Sequence, residues 1–268
     1  MDKISAYIIA YNEAEKIGDA IRSVLWADEV VVVDSNSTDG TVQIAEQLGA
    51  RVVQVAFKGF GDLRNQAVAA CRHPWIFSLD SDERATPEVR DEVLQTIARA
   101  DALDAYLVPR RNFFMGRWIR HSGWYPNYRQ PQLYRRDALV YGDDAVHETW
   151  RLTTGKPVGT LTQPVWQVPF RNLEESLRKT NRYSTLSIYR LQHKRPGLLT
   201  ALAHAKWAFI RHYFLKLGIL DGAAGFVIAF GYFEQTFYRY MKRHEQAAGW
   251  ELPRQKEPIV RNAPVGEH

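Results

Sequence analysis

Two acidic clusters have the residue types and spacing to do chemistry. Asp34 closes the run Val30-Val31-Val32-Val33, and Asp80-Ser81-Asp82-Glu83 follows Trp75-Ile76-Phe77-Ser78-Leu79. Side chains two apart on an extended chain share a side, so Asp80 and Asp82 can offer two carboxylates to one point. Such a pair about 4 Å apart repels by roughly 4 kcal/mol at an effective dielectric near 20, and a divalent cation relieves that repulsion. Oxygen ligands of this kind suit Mg²⁺ or Mn²⁺. The competing reading is that Asp82 and Glu83 solvate a loop and cap the helix that opens near Pro87.

The elements that must hold these groups alternate. The patterns predict strands over 4–10, 30–34, 51–56, 75–79 and 105–109, with helices over 15–26, up to 48, 63–71 and 87–100 between them. The β-branched run before Asp34 lacks polar alternation, as a strand covered on both faces should. Ser37-Thr38-Asp39-Gly40 supplies cap chemistry for the second helix. Strand–helix alternation of this kind predicts an α/β fold, a mostly parallel sheet with helices on both faces that binds ligands at the strands' carboxyl ends. Residues 112–167 are rich in Trp, Tyr, Arg and Gly and predict loops with short strands near 132–135 and 159–168. From residue 173 three helices are expected, over 173–192, 198–217 and 222–246, with Trp207, Ile210, Phe214 and Leu217 on one face of the second. This divides the chain into an α/β region 1–170 that carries the acidic clusters, a basic and apolar helical extension 171–250, and a loose tail 251–268.

Tyr11-Asn12-Glu13, Val33-Asp34-Ser35-Asn36-Ser37-Thr38-Asp39-Gly40-Thr41 and Leu79-Asp80-Ser81-Asp82-Glu83 resemble the successive signatures of the family 2 inverting glycosyltransferases of GT-A type. Gly59-Phe60-Gly61 with Arg64-Asn65, Pro109-Arg110-Arg111-Asn112, Gly123-Trp124-Tyr125-Pro126, Val146-His147-Glu148 and Gly218-Ile219-Leu220-Asp221-Gly222 resemble the bacterial branch of lipopolysaccharide-core β-1,4-glucosyltransferases. The resemblance implies transfer of a hexose, glucose from UDP-glucose, to an inner-core or related cell-surface glycan, with Mg²⁺ or Mn²⁺ as cofactor. It implies donor contacts from Tyr11, Asn12, Glu13, Asp34, Arg64, Asp80 and Ser81, and metal ligation by Asp82, Asp80 and His147. Glu148 is the implied base, with Asp143 and Asp144 in reserve, and Arg110, Trp124 and Tyr125 are acceptor candidates. Bland roles compete: helix-terminal charge for Glu13, a surface salt bridge for Arg64, an ion pair for His147-Glu148, and packing for the aromatic stretch 118–128. Two positions depart from the family pattern, Gln167 where relatives often carry histidine and Gln132 where they often carry arginine.

Composition narrows the class. In 268 residues, 46% hydrophobic and 24% charged, the mix is that of a folded chain rather than a disordered one. The lone Cys71 excludes an internal disulfide framework and a multi-cysteine zinc site and favours a reducing compartment. The N-terminus does not read as a signal peptide, and no apolar run reaches the ~18 residues of a simple spanning helix. The expected place is cytoplasmic, with peripheral attachment at the inner face of the cytoplasmic membrane left open. Net charge is +5, yet residues 171–217 carry ten Lys or Arg against two Glu, a local +8. That asymmetry suggests an anionic partner: a glycolipid or oligosaccharide acceptor, or an anionic membrane surface. A homo-oligomer is also compatible with the helical extension. Three rivals remain at this level. A polyprenyl-phosphate sugar transferase shares the donor half. A nucleotidyltransferase would need a Gly-rich basic loop where Tyr11-Asn12-Glu13-Ala14-Glu15 is acidic. A nucleic-acid-binding module leaves the aspartates unexplained, so no nucleic-acid partner is expected.

Overall fold

In the computed structural model, described over residues 2–142, 149–191 and 196–249, the N-terminal half builds β1 (Ile4–Ala10), α1 (Ala14–Ser23), β2 (Glu29–Asp34), α2 (Thr41–Gln47), β3 (Arg51–Gln54), α3 (Phe60–Ala70), β4 (Trp75–Asp80), β5 (Glu83–Arg84) and α4 (Pro87–Ile97). There follow β6 (Ala105–Leu107), β7 (Arg110–Phe114), β8 (Arg117–Trp118), β9 (Pro131–Arg135), β10 (Leu139–Tyr141), β11 (Trp150–Leu152), β12 (Gly159–Thr160) and β13 (Val165–Gln167). Helices α5 (Leu173–Leu186), α6 (Leu198–Ile210) and α7 (Gly222–Ala248) close the described chain.

The main sheet runs β12-β6-β9-β4-β1-β2-β3. Its neighbours are parallel except around β9, which lies antiparallel to both β4 and β6. The alternation of strand and helix accounts for the parallel part; β9 arrives after the irregular middle region and enters from the other end. Side chains of β2 divide between two cores, Val30 and Val32 on one face, Val31 and Val33 on the other. This is why the run carries no polar alternation. After β3 the chain crosses back to lay β4 beside β1, so the crevice between the carboxyl ends of β1 and β4 is the topological switch point where ligands bind such sheets.

Three expected elements are divided in the structure. Residues 159–168 form β12 and β13, which join different sheets. Pro164 has no N–H to continue a ladder, and the backbone N–H groups of Thr162 and Gln163 donate instead to the Glu92 carboxylate of α4. α5 passes into a 3-10 turn at Ser187–Leu191, where the Ser187 hydroxyl donates back to the Tyr183 carbonyl. α6 ends in a π turn at Arg211–Leu215, and Leu217 then adopts a left-handed φ of 56°.

Two buried side chains fasten the helices to the rest. Lys16 on α1 reaches Glu175 on α5 at 2.9 Å. Asp221, 1% exposed, accepts from the backbone N–H groups of Arg120 and His121 and from the Ser122 hydroxyl. Gly218 and Gly225 let this corner close, since a side chain at Gly225 would overlap the Gly218 carbonyl.

Burial alone would push the Glu175 carboxyl up, but the Arg171 N–H and the Lys16 ammonium outweigh it and hold it at about 2, below its ordinary 4.5. A depressed carboxylate adds stability above its unfolded value and loses it as pH falls toward the folded one. Glu175→Gln is therefore expected to melt below the parent at neutral pH, with the gap closing between about pH 4.5 and 2. Parallel thermal melts across that range check it, and a constant gap would refute the linkage.

Candidate active site

The loops after β1 and β2 are tied together by side chain to backbone bonds. Asp34, fully buried, accepts from the Ser37 N–H at 2.8 Å and from the Ser37 hydroxyl. The Ser37 hydroxyl oxygen in turn accepts from the Asn12 N–H at 2.8 Å. Asn12, left-handed at φ 54°, accepts from the Thr38 N–H through its side-chain oxygen. Asp39 caps two helices at once: one oxygen accepts from the Ala14 N–H that opens α1, the other from the Thr41 N–H that opens α2. Glu13 lies 3.7 Å from Lys16, while Tyr11 is 62% exposed at the lip.

The second wall is the acidic turn after β4. Arg64 of α3, 4% exposed, holds the Asp80 carboxylate at 2.9 Å and the Ser78 hydroxyl at 3.3 Å. Glu83 is fully buried and paired with Arg110, itself 1% exposed. Gln132 donates to Glu83 at 2.8 Å and to the Ser78 carbonyl at 3.0 Å. Asp82 differs from its neighbours. Its carboxylate accepts only from the Gln167 amide, at 3.2 and 3.3 Å, and no Lys or Arg among the described residues lies within ion-pair distance. The Ser81 carbonyl accepts from Arg84.

Electrostatics separate the three carboxyls. Burial pushes Asp82 up and the neighbouring Asp80 charge pushes it further. At Asp80 burial acts in the same direction, but the Arg64 and Arg110 charges prevail and hold it below the usual range. Burial raises Glu83 against the attraction of Arg110. The turn thus has buried cations against Asp80 and Glu83, while Asp82 is acted on from farther off by Lys179 and Lys16.

The small sheet β5-β13-β7-β8 makes this possible. Its register sets Gln167 opposite both Glu83 and Asn112, which brings the second half of the chain to the acidic turn. Both departures from the family pattern, Gln132 and Gln167, meet here, and the side-chain oxygen of each is buried with no partner among the described residues. Among the described residues no three His, Cys, Asp or Glu close on one point as a metal cage. Asp82 with Asp80 matches the sparser donor set of a cation that completes its shell with phosphate oxygens.

The acceptor candidates divide. Arg110 lies beneath the acidic turn in an ion pair and donates to the Asn127 carbonyl at 3.1 Å, so its guanidinium is part of the foundation. Trp124 is half-buried against Phe114 and Phe170, and Tyr125 packs edge-on to Trp118. His147, Glu148, Asp143 and Asp144 lie outside the described residues.

The profile of Glycosyl transferase family 2 matches residues 5–153, which span β1 to β11 and both walls of the crevice. The chain is a family 2 glycosyltransferase. A glycosyltransferase of Rickettsia bellii is 31% identical over 255 residues, covering 91% of this chain and 86% of that one. The lipopolysaccharide core biosynthesis glycosyltransferase LpsC of Rhizobium meliloti is 28% identical, covering 84% and 86%. Among solved structures, glucosyl-3-phosphoglycerate synthase from Mycobacterium tuberculosis, in complex with Mn²⁺, UDP and glucosyl-3-phosphoglycerate, overlaps at TM-score 0.37 and 26% identity. That overlap covers 42% of this chain and 44% of the solved one, so the transferase spans under half the length of that structure. Family membership sets aside the nucleotidyltransferase and the non-catalytic nucleic-acid module. The sheet with its flanking and C-terminal helices is a GT-A-like fold.

The Arg110–Glu83 pair predicts a stability effect separable from substrate binding. Removing one partner of a buried pair leaves the other uncompensated, at about 3–5 kcal/mol. Arg110→Met is expected to lower the urea midpoint accordingly. Unchanged stability with only a raised acceptor KM would instead make Arg110 an acceptor contact.

Proposed function

We propose that this transferase moves a hexose, glucose from UDP-glucose, to a lipopolysaccharide inner-core or related glycolipid acceptor with inversion at the anomeric carbon. The observation that carries the donor half is Asp82: a carboxylate at the switch-point crevice, pushed up by burial and by Asp80, with no Lys or Arg among the described residues within ion-pair distance. The acceptor half is supported by the likeness to LpsC over most of both chains.

In this reading Asp82, with Asp80, holds Mg²⁺ or Mn²⁺ beside the donor diphosphate. When bound, the cation supplies positive charge against the negative charge that grows on the departing nucleotide. Arg64 fixes Asp80 in place, and Gln167 orients Asp82. Asn12, Glu13 and Tyr11 line the end of β1 for base and ribose, and Asp34 sets the turn that positions them, the uracil N3–H being its donor partner by family resemblance. Ser81 shapes the turn between the two aspartates. Inversion needs one base that takes the acceptor hydroxyl proton on the face opposite the leaving group. Glu148 is assigned that role, with Asp143 and Asp144 in reserve and His147 as a further metal ligand. Trp124 and Tyr125 offer ring faces to an acceptor sugar.

Two variants and a substrate panel test this. Asp82→Ala is expected to abolish UDP release and metal-dependent donor binding, and wild-type turnover would refute its role. Glu148→Gln should keep donor affinity and slow turnover by roughly 10²-fold or more, as for a lost general base. Near-normal turnover moves the base to Asp143 or Asp144. With nucleotide-sugars presented against core oligosaccharide and undecaprenyl phosphate, UDP release with UDP-glucose and core oligosaccharide supports the reading. Transfer only to undecaprenyl phosphate replaces it with a polyprenyl-phosphate sugar transferase.

A further inference from the structure

The corner between α6 and α7 exposes apolar side chains that a water-facing helix pair has no use for. Trp207, Ile210, Phe214 and Leu217, spaced three or four apart, were expected to share one face of a single helix. They are 56%, 41%, 51% and 50% exposed. Leu215, Ile219 and Leu220 extend the surface around the turn, at 63%, 48% and 59%. On α7 the rings of Phe226, Phe230, Phe233 and Phe237 stack in series at 5.8–6.2 Å between neighbours. Phe226 also meets Phe209 and Tyr213 across the corner, so the apolar surface is continuous from one helix to the other.

The charges on this corner have one sign. Between residues 196 and 233 the only acid is Asp221, which is 1% exposed and bonded to the loop at 120–122. Lys206, Arg211 and Lys216 are the basic residues of the same stretch. Arg117 approaches the turn beside Gly222, and Arg120 follows it. A second copy of the chain in a two-fold contact would set these cations against themselves. An anionic lipid surface matches both features, with apolar groups entering the acyl boundary and Lys and Arg at the headgroups.

Length and apolar composition together set the mode. No single helix among the described residues is long and apolar enough to cross a membrane, while Leu198–Leu215 with Gly218–Ala248, bent by 72°, passes that test only as a pair. The 13-residue α6 is about 20 Å long, short of the ~30 Å hydrocarbon core. We infer that the α6–α7 corner inserts its apolar face into one leaflet of an anionic bilayer without crossing it. Asp221 then brings residues 120–122 near the headgroups, on the same stretch as Trp124 and Tyr125. This inference stands on the exposed surface and its charge, and needs no particular donor or acceptor.

The test uses the full chain with vesicles of phosphatidylcholine alone or mixed with phosphatidylglycerol. Cosedimentation with the anionic vesicles and little with the neutral ones is expected, weakening as salt rises. Leu215→Asp with Leu220→Asp should reduce that binding tenfold or more while circular dichroism and melting stay as in the parent, since both side chains face out. Lys206→Glu with Arg211→Glu should reduce it on anionic vesicles specifically. Quenching by bromine-labelled acyl chains that falls in Trp207→Phe would place Trp207 in the acyl boundary. No cosedimentation of the parent overturns the inference. So does a dimer in sedimentation equilibrium that the leucine substitutions split while vesicle binding is absent, which would make a second copy the occupant. UDP release from soluble donor and acceptor reports separately on the proposed reaction.

Discussion

Two arginine–carboxylate pairs, Arg110 with Glu83 fully buried and Arg64 with Asp80 partly so, govern the crevice. Buried charges are costly unless paired, and removing one partner leaves the other uncompensated. Here the pairs let three acidic residues stand within four positions without the turn flying apart. Two are neutralised from below, by a helix on one side and a strand of the small sheet on the other. The third, Asp82, has no ion pair among the described residues and accepts from the neutral Gln167 amide. An arginine at that position would pair with the carboxylate; a glutamine orients it and leaves it available.

The opposite wall solves a different problem. Loops after β1 and β2 must stay open to a ligand yet hold still. Polar side chains do this by bonding to backbone N–H groups of the neighbouring loop: Ser37 to Asn12, Asn12 to Thr38, Thr41 to Glu13, Asp39 to Ala14. Each bond is modest alone, about 0.5–1.5 kcal/mol net. Because they cross between loops they fix relative position, and so transmit the rigidity of the sheet to its rim. Gly61 serves the same end from α3, since a side chain there would overlap the Gly142 carbonyl and push the helix that carries Arg64 off the sheet.

What was legible in the sequence follows from range. Strand and helix periodicity is local, and the five N-terminal strands and the helices between them stand within a few residues of expectation. The acidic turn was legible because Asp80 and Asp82 are neighbours in sequence. The partners that give each carboxyl its character were not. Arg110 is 27 residues from Glu83, and Gln167 is 85 from Asp82. Their strands meet only through a small sheet whose register no local pattern encodes. A faint signal existed: Gln132 and Gln167 are amides beside apolar residues in short strands, and a buried amide needs a reason to be there. Asp39 was read as a cap for one helix and caps two, because the second is a spatial neighbour.

The C-terminal helices show the converse limit. Periodicity put Trp207, Ile210, Phe214 and Leu217 on one face of a single helix, whereas α6 ends at Ile210, a π turn follows and Leu217 is left-handed. A hydrophobic stripe in any case specifies burial without saying against what. Within the chain the buried faces of α6 and α7 carry Ala201, Ala205, Ala224 and Ala229 together with Ile228 and Tyr240. Trp207, Ile210, Phe214, Phe226 and Phe230 are left at 41–56% exposure. A helix pair folding only for its own stability would place them the other way round, since burying a large apolar side chain stabilises by about 1.5–3 kcal/mol. Under the proposed membrane contact these large groups have an outside medium to enter, and the Asp221 bonds with the close approach of Gly218 and Gly225 fix the corner that presents them.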